Sequence, residues 1–417
     1  AAAEKIGVPV EKIQRKNLLE TGDEFPYGQK VESEAEACWD KACKVYDIKK
    51  IEKDITGFNK KNKRFKKGYS FMPICFGISF TKILMNQARA LVHIYMDGSV
   101  NISTGAVEMG QGVNTKMLQV AAYVFSLPPE NIKVNSTNTY RIANTSPSAA
   151  SATADLNGKA VELACNTLLE RLMGQAAEML QVKPGKVKLE NGIFFHKKSN
   201  GLSWNEVVMA AYLNRLSLSE HAHYATPGIY FDNTKEKGHP FAYHVFGTAI
   251  TTVTVDCLKG IYEVDAVHLL HDVGNTMNTL IDRGQIEGGL VQGIGWMTME
   301  EIIYDKDGIL RSNALSTYKV PDIHSVPKIV DLQFLDTDKD NMAIFRSKAV
   351  GEPPLMYGMG TYFALRQAIK AFSPHSEIGF DAPMTPEKVL VGLYGEKISG
   401  YELTPRLLET GAKQSAI

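Results

Sequence analysis

From Ala90 to Ser103 the sequence ALVHIYMDGSVNIS alternates apolar and polar residues on either side of Asp97-Gly98, which predicts a β-hairpin. The glycine-rich stretch TGAVEMGQGVNTKMLQVAAYVF then opens into an amphipathic helix, and ENIKVNST reads as a further strand. A similar order returns later. TAITTVTVDCLKGIYEVDAVHLLHDVG reads as strand, turn, strand, and DRGQIEGGLVQGIGWMTMEE again enters a helix through Gly-Gln. The two units, near 90–140 and 247–305, form a weak internal duplication of pattern in which Gln111 and Gln285 hold comparable positions at helix starts.

Between these units, NTSPSAASATADLNGKAVELACNTLLERL runs from small residues into a long helix. On composition alone, a capped loop opening a helix is the simpler reading of that run. Small side chains at a helix start also let backbone N–H groups approach an anionic ligand. Residues 1–70 are charged and predicted helical, ending in the basic run NKKNKRFKKGYS, which reads as a solvated connector. Past position 330 follow a strand, KIVDLQFLDTD, the turn SKAVGEPPLMYGMG, a helix, GTYFALRQAIKAF, and a charged end. Irregular alternation of strands and helices predicts an α+β fold with mixed sheets. The opening AAEKIGVPVEKIQRKNLL has no clear cap before its first helical turn and is expected to continue a longer polypeptide.

Composition narrows the function. With 46 basic and 46 acidic residues the formal charge is zero, which gives no electrostatic argument for nucleic acid or an anionic membrane as the main partner. No apolar run approaches membrane-spanning length. The five cysteines lack any C-x-x-C pair, so neither zinc nor an iron–sulfur cluster is expected on this chain, and a reducing, cytoplasmic setting is.

Several motif tests fail. GAVEMGQ has the glycine separation of a P-loop, but Gln111 stands where its lysine belongs. GQGVNT and GMGTYF lack the third glycine of a dinucleotide fingerprint, no G-x-S-x-G occurs, and His221 and His223 are a poor metal pair. What remains is three glycine- or alanine-rich turns, EMGQGVNTK, SPSAASATADLNG and RGQIEGG, together with Glu352 between Gly351 and two prolines. Amide side chains and exposed backbone donors suit a large, polar, phosphate-bearing cofactor. A lone carboxylate on a rigid turn suits a general base, whose pKa burial would raise toward working pH.

These motifs resemble the C-terminal half of the molybdenum-binding region of the xanthine oxidase family of molybdenum hydroxylases. GISFT, ARALVHIYMDGS, EMGQGVNTKM, NTSPSAASATADLNG, DRGQIEGGLVQG, STYKVP and SKAVGEPPL occur in the family's order, and the similarity runs on to APMTPEKV. The resemblance implies a molybdenum–molybdopterin cofactor and makes Glu352 the general base, with product oxygen taken from water. It places Gly110, Gln111, Ala150, Ser151 and Gln285 in pterin-cofactor motifs, partly through main-chain donors. It also makes Phe80 the aromatic that packs on a purine and Thr81 a hydroxyl that hydrogen-bonds it; no residue is assigned to the metal. The small-residue loop and KAVGEPPL resemble xanthine dehydrogenases, whereas aldehyde oxidases carry Ser-Gly after the glutamate.

The resemblance implies three segments. These are a helical connector at 1–88 and two molybdopterin-binding subdomains at 89–230 and 231–417, the second carrying the Glu352 turn. It further implies partners: the upstream half of the molybdenum domain, with an arginine, a glutamate and a second aromatic that grip the purine, and chains or domains holding [2Fe–2S] clusters and FAD. The assembled enzyme is expected to be a dimer. Lys82 and Met85 depart from the family's usual apolar residue and leucine beside Thr81. Two alternatives stay open: an aldehyde- or N-heterocycle-oxidising relative, and a non-catalytic scaffold when the chain is isolated.

Overall fold

The computed structural model describes residues 2–197, 201–335, 337, 341–376 and 378–398, the last three by backbone alone. In chain order its main elements are α1 (Ala35–Val45), β1 (Phe65–Ile78), β2 (Gln87–Ile94), β3 (Val100–Thr104), α2 (Val113–Phe125), β4 (Ile132–Val134) and α3 (Thr153–Met179). There follow β5 (Ser219–Ala225), β6 (Tyr243–Asp256), β7 (Ile261–Asp272), α4 (Thr279–Thr298), β8 (Ile329–Leu335) and α5 (Met359–Phe372).

Two four-stranded mixed sheets organise these elements. One has the order β4-β3-β2-β5 and the other β1-β6-β7-β8. Each is built from an antiparallel hairpin, a helix, and a strand that returns parallel to the hairpin's second strand: β4 beside β3, and β8 beside β7. The hairpin at Asp97-Gly98 forms as its sequence demands. Gly98 has φ +84°, a value a β-carbon would oppose, and the Asp97 carboxylate accepts the Ser99 N–H at 2.9 Å.

The first sheet rests on α2 and α3. Along α3, Leu156, Ala160, Ala164, Leu168, Leu172 and Ala176 recur at helical spacing and are all buried, forming one apolar stripe against β2, β5 and α2. The second sheet is covered on both faces, which is why its central strand β6 is apolar and buried almost throughout. On one face Phe71, Phe246, Ile250 and Leu270 meet α1, with Trp39 stacked on Phe71 at 4.6 Å. Ala249, Val267 and Leu269 on the other face meet Ile286, Leu290 and Ile294 of α4.

Two expectations change here. The segment read as a helical connector contains β1, fourteen residues long and paired along its whole length with β6. Within the basic run Arg64 pairs with Asp256 and Lys67 with Asp265, while Lys60, Lys61 and Lys63 are exposed. Gln111 and Gln285 are not equivalent: Gln111 precedes the Gly112 cap of α2, whereas α4 starts at the Asn278 cap and carries Gln285 in its second turn. The predicted strand at the end of KIVDLQFLDTD falls partly outside the described residues, as does the charged C-terminal end. No helix among the described residues is long and apolar enough to cross a membrane.

Candidate active site

The three small-residue turns and the Glu352 turn converge. The first turn, after β3, is closed by a carboxylate: Glu108 accepts the N–H groups of Gly110 and Gly112 at 2.9 Å each and that of Asn114 at 3.0 Å. Burial pushes this carboxyl up, but the backbone donors of Asn114, Gly112, Gly110 and Met109 prevail and hold it below the usual carboxylate range. Gly110 (φ +101°) has nothing within 4 Å of where a β-carbon would stand, so its face is open. Gln111 turns inward, its amide donating to Val107 O at 2.7 Å and accepting the Met109 N–H at 2.6 Å. Its side chain therefore braces the loop instead of projecting from it.

The second turn joins the first through Ser148, whose Oγ accepts the Val107 N–H at 2.8 Å, and through Thr145, which packs on Gly105. Ala150 and Ser151 then adopt consecutive left-handed conformations, φ +54° and +50°, immediately before α3. Neither backbone N–H enters a hydrogen bond among the described residues. Two free main-chain donors flanked by small side chains fit an oxygen-rich anionic group, the chemistry of a phosphate-bearing pterin.

Ser151 Oγ also accepts the Glu352 N–H at 2.8 Å, across 201 positions of sequence. The Glu352 turn leads into the 3-10 helix Pro353–Gly358, which lies directly on α4. At Gly289 a β-carbon would stand 3.1 Å from Pro354 Cβ, and at Gly293 one would stand 2.0 Å from the Leu355 carbonyl oxygen. Gln285, one turn before Gly289, shares this helix face, and its side chain has no hydrogen-bond partner among the described residues. Helix α4 reaches the first turn as well, because Ile281 packs on Gly112.

The flanks of Glu352 are anchored to the end of β7. Lys348 pairs with the fully buried Asp272, Nζ to Oδ2 at 2.5 Å, and donates its own N–H to Val273 O at 2.7 Å. The next strand residue, His271, contacts Tyr357 and Ala349. Glu352 itself is exposed. The burial expected of it is not supplied by this chain's described residues.

Gly110, Gln111, Ala150, Ser151, Gln285 and Glu352 thus belong to one assembly of loops. Phe80 and Thr81 attach to it only indirectly. Asn86 clamps Phe80, accepting its N–H and donating to its carbonyl at 2.8 Å each, and no described hydrogen bond or ring contact links Phe80 or Thr81 to Glu352. Behind them the Tyr243 hydroxyl donates to Asp155 at 2.7 Å in the first turn of α3, where burial pushes the Asp155 carboxyl up to about 6. Sequence reading overlooked Glu108, Ser148, Asp272 and Lys348. Of these only Glu108 carried a local signal, an acidic side chain two to six residues before free N–H groups at a helix start.

A cavity of about 860 Å³ lies elsewhere, between the end of α5 and residues 373–395, and contains none of these residues.

Residues 41–327 match the family model of the molybdopterin cofactor-binding domain, and the chain belongs to that family. Within it, the chain is 40% identical over 393 residues to the xanthine dehydrogenase/oxidase of Mus musculus, covering 92% of this chain and 28% of that protein. It is 37% identical over 381 residues to the xanthine dehydrogenase of Drosophila pseudoobscura pseudoobscura, covering 91% of this chain and 27% of that one. The chain therefore spans little more than a quarter of the length of these relatives. Its fold is shared with quinoline 2-oxidoreductase from Pseudomonas putida 86, with a TM-score of 0.80 at 22% identity over 94% of this chain and 50% of that one. It is shared as well with the aldehyde oxidoreductase of Desulfovibrio desulfuricans, with a TM-score of 0.75 at 23% identity over 94% and 39%.

Proposed function

We propose that this chain is the part of a xanthine dehydrogenase-type molybdenum hydroxylase that carries the general base, Glu352. The observation that carries the reading is the Ser151–Glu352 hydrogen bond, which sets the carboxylate turn beside the two free N–H groups of the cofactor loop. The bound molybdenum–pterin cofactor would supply the redox chemistry, accepting the electron pair that leaves the substrate.

This chain's residues would bind, orient and move a proton. Ala150 and Ser151 N–H would hold the cofactor, Gly110 would let it approach the first loop, and Gln285 would donate from α4. The carboxylate of Glu352 would take the proton of the water-derived hydroxyl at the moment of attack, on a mount rigidified by Pro353 and Pro354. Phe80 and Thr81 would meet a purine ring, a class favoured by the 40% identity to xanthine dehydrogenase/oxidase. Substrate-gripping residues, [2Fe–2S] clusters and FAD would lie on other segments or subunits of a cytoplasmic dimer.

The test is the enzyme purified through this chain, with molybdenum and flavin content and rates on xanthine, hypoxanthine and a panel of aldehydes. Fast xanthine turnover with molybdenum is expected. Turnover on aldehydes or other heterocycles alone would replace the substrate, and absence of molybdenum would reduce the chain to a scaffold. Glu352→Gln should keep the metal and the fold while losing about 10²–10⁴-fold in kcat, the usual contribution of a positioned base. A near-normal rate at full molybdenum would refute the role.

A further inference from the structure

The strand behind the Glu352 turn ends in a polar device inside an otherwise apolar layer. His271 and Tyr357 are both fully buried in the core formed by Ala249, Val267, Leu269, Ile286 and Leu290. The Tyr357 hydroxyl lies 2.7 Å from His271 Nδ1, and His271 Nε2 lies 3.3 Å from the carbonyl oxygen of Ala349. A carbonyl only accepts, so Nε2 carries the proton and Nδ1 receives the tyrosine O–H; the imidazole is a neutral bridge. Gly247 is the cross-strand partner of His271, and a β-carbon there would fall 1.8 Å from the Tyr357 hydroxyl. The hydroxyl thus occupies a space that Gly247 leaves open beside the ring.

Buried polar groups in a core are costly unless paired, and this pairing reaches both flanks of one turn. Ala349 stands three residues before Glu352 and Tyr357 five after it. We propose that His271, acting through the Tyr357 hydroxyl and the Ala349 carbonyl, is a positioning residue that fixes the turn bearing Glu352 against the β6–β7 ladder. This rests on the reading of Glu352 as the base. A histidine and a tyrosine reaching a single seat from separate elements can be replaced together by apolar groups, which separates packing from positioning.

The experiment compares Y357F, H271L and the double variant H271L/Y357F in the assembled enzyme. Each single variant leaves a buried partner unsatisfied and should melt earlier; the double variant, in which only the Ala349 carbonyl stays unpaired, should regain part of the thermal stability lost in H271L. All three should lose about tenfold in kcat at unchanged KM, and amide exchange at Glu352 and Leu355 should quicken at least tenfold. Recovery of kcat alongside stability in the double variant, or unchanged exchange at Glu352 and Leu355, would overturn the proposal. If Glu352→Gln turned over normally, the base reading alone would fall, and the exchange rates would still decide whether His271 holds the turn.

Discussion

Lys348→Met removes one ammonium from the anchor of the Glu352 turn and keeps most of the side chain's apolar stem. The carboxylate left behind, Asp272, is fully buried. Its Oδ1 retains two neutral donors, the Thr337 hydroxyl at 2.9 Å and the Gly274 N–H at 3.2 Å. Oδ2, which faced the ammonium at 2.5 Å, retains none among the described residues. Removing one partner of a buried ion pair costs about 3–5 kcal/mol, because the remaining charge has lost both water and its counter-ion. With one oxygen still satisfied, the lower end applies, about 3 kcal/mol, or roughly a hundredfold in the folded-to-unfolded ratio. Urea titration of the transition that includes this chain should show that loss as a lower midpoint at unchanged slope. The double variant D272N/K348M, neutral but still hydrogen-bonded to Thr337, should recover most of it. A loss below about 0.5 kcal/mol for K348M, the range of an ordinary surface substitution, would refute the claim that this buried pair holds the turn.

The contact between α4 and the turn is equally open to test: Gly293→Ala would place a carbon 2.0 Å from a backbone oxygen that cannot rotate away, costing about 1–3 kcal/mol by overpacking. Gly284→Ala on the same helix, with nothing within 4 Å, should be neutral or slightly stabilising, and equal melting of the two variants would be inconsistent with a backbone-to-backbone seat. At the far end of β6 the Arg64 guanidinium, hydrogen-bonded to both oxygens of Asp256, holds that carboxyl down at about 2. A depressed carboxyl stabilises the fold above its unfolded value near 3.8 and loses that contribution as pH falls from there toward 2. Arg64→Met should therefore move the acid-unfolding midpoint upward, and an unchanged acid limb would show the pair to be inert.

Local signals account for the hairpins and the long helices. Alternation around Asp97-Gly98 and the spaced apolar stripe of α3 are decided within a few residues, so the chain declares them. β1 was hidden for two reasons. Lysines fill its second and third positions, and Pro73 interrupts it, a residue tolerated because β1 is the sheet's edge and loses no inner ladder bond. At the site, the rigid setting of Glu352 was visible in the flanking glycine and prolines, but its exposure was not, since burial depends on what else covers the turn. Gln111 was identified as a loop residue while the direction of its amide was missed, because the Val107 carbonyl competes for it at 2.7 Å. The partners that hold the turn, Ser151, Asp272 and His271, lie 201, 76 and 78 positions from the groups they bind, beyond any local pattern.

The edge position of β1 bears on how pieces of this protein can be handled. All fourteen of its residues pair with β6, whose own sequence, VFGTAITTVTV in its middle, is apolar, β-branched and uncharged. A fragment beginning after Ile78 would retain both sheets' hairpins and every loop of the site, and would look complete by its motifs. It would also present the outer edge of β6 to solvent as an unpaired template for a neighbouring molecule's strand. Residues 65–78 therefore cover that edge of β6, and trimming them should favour aggregation.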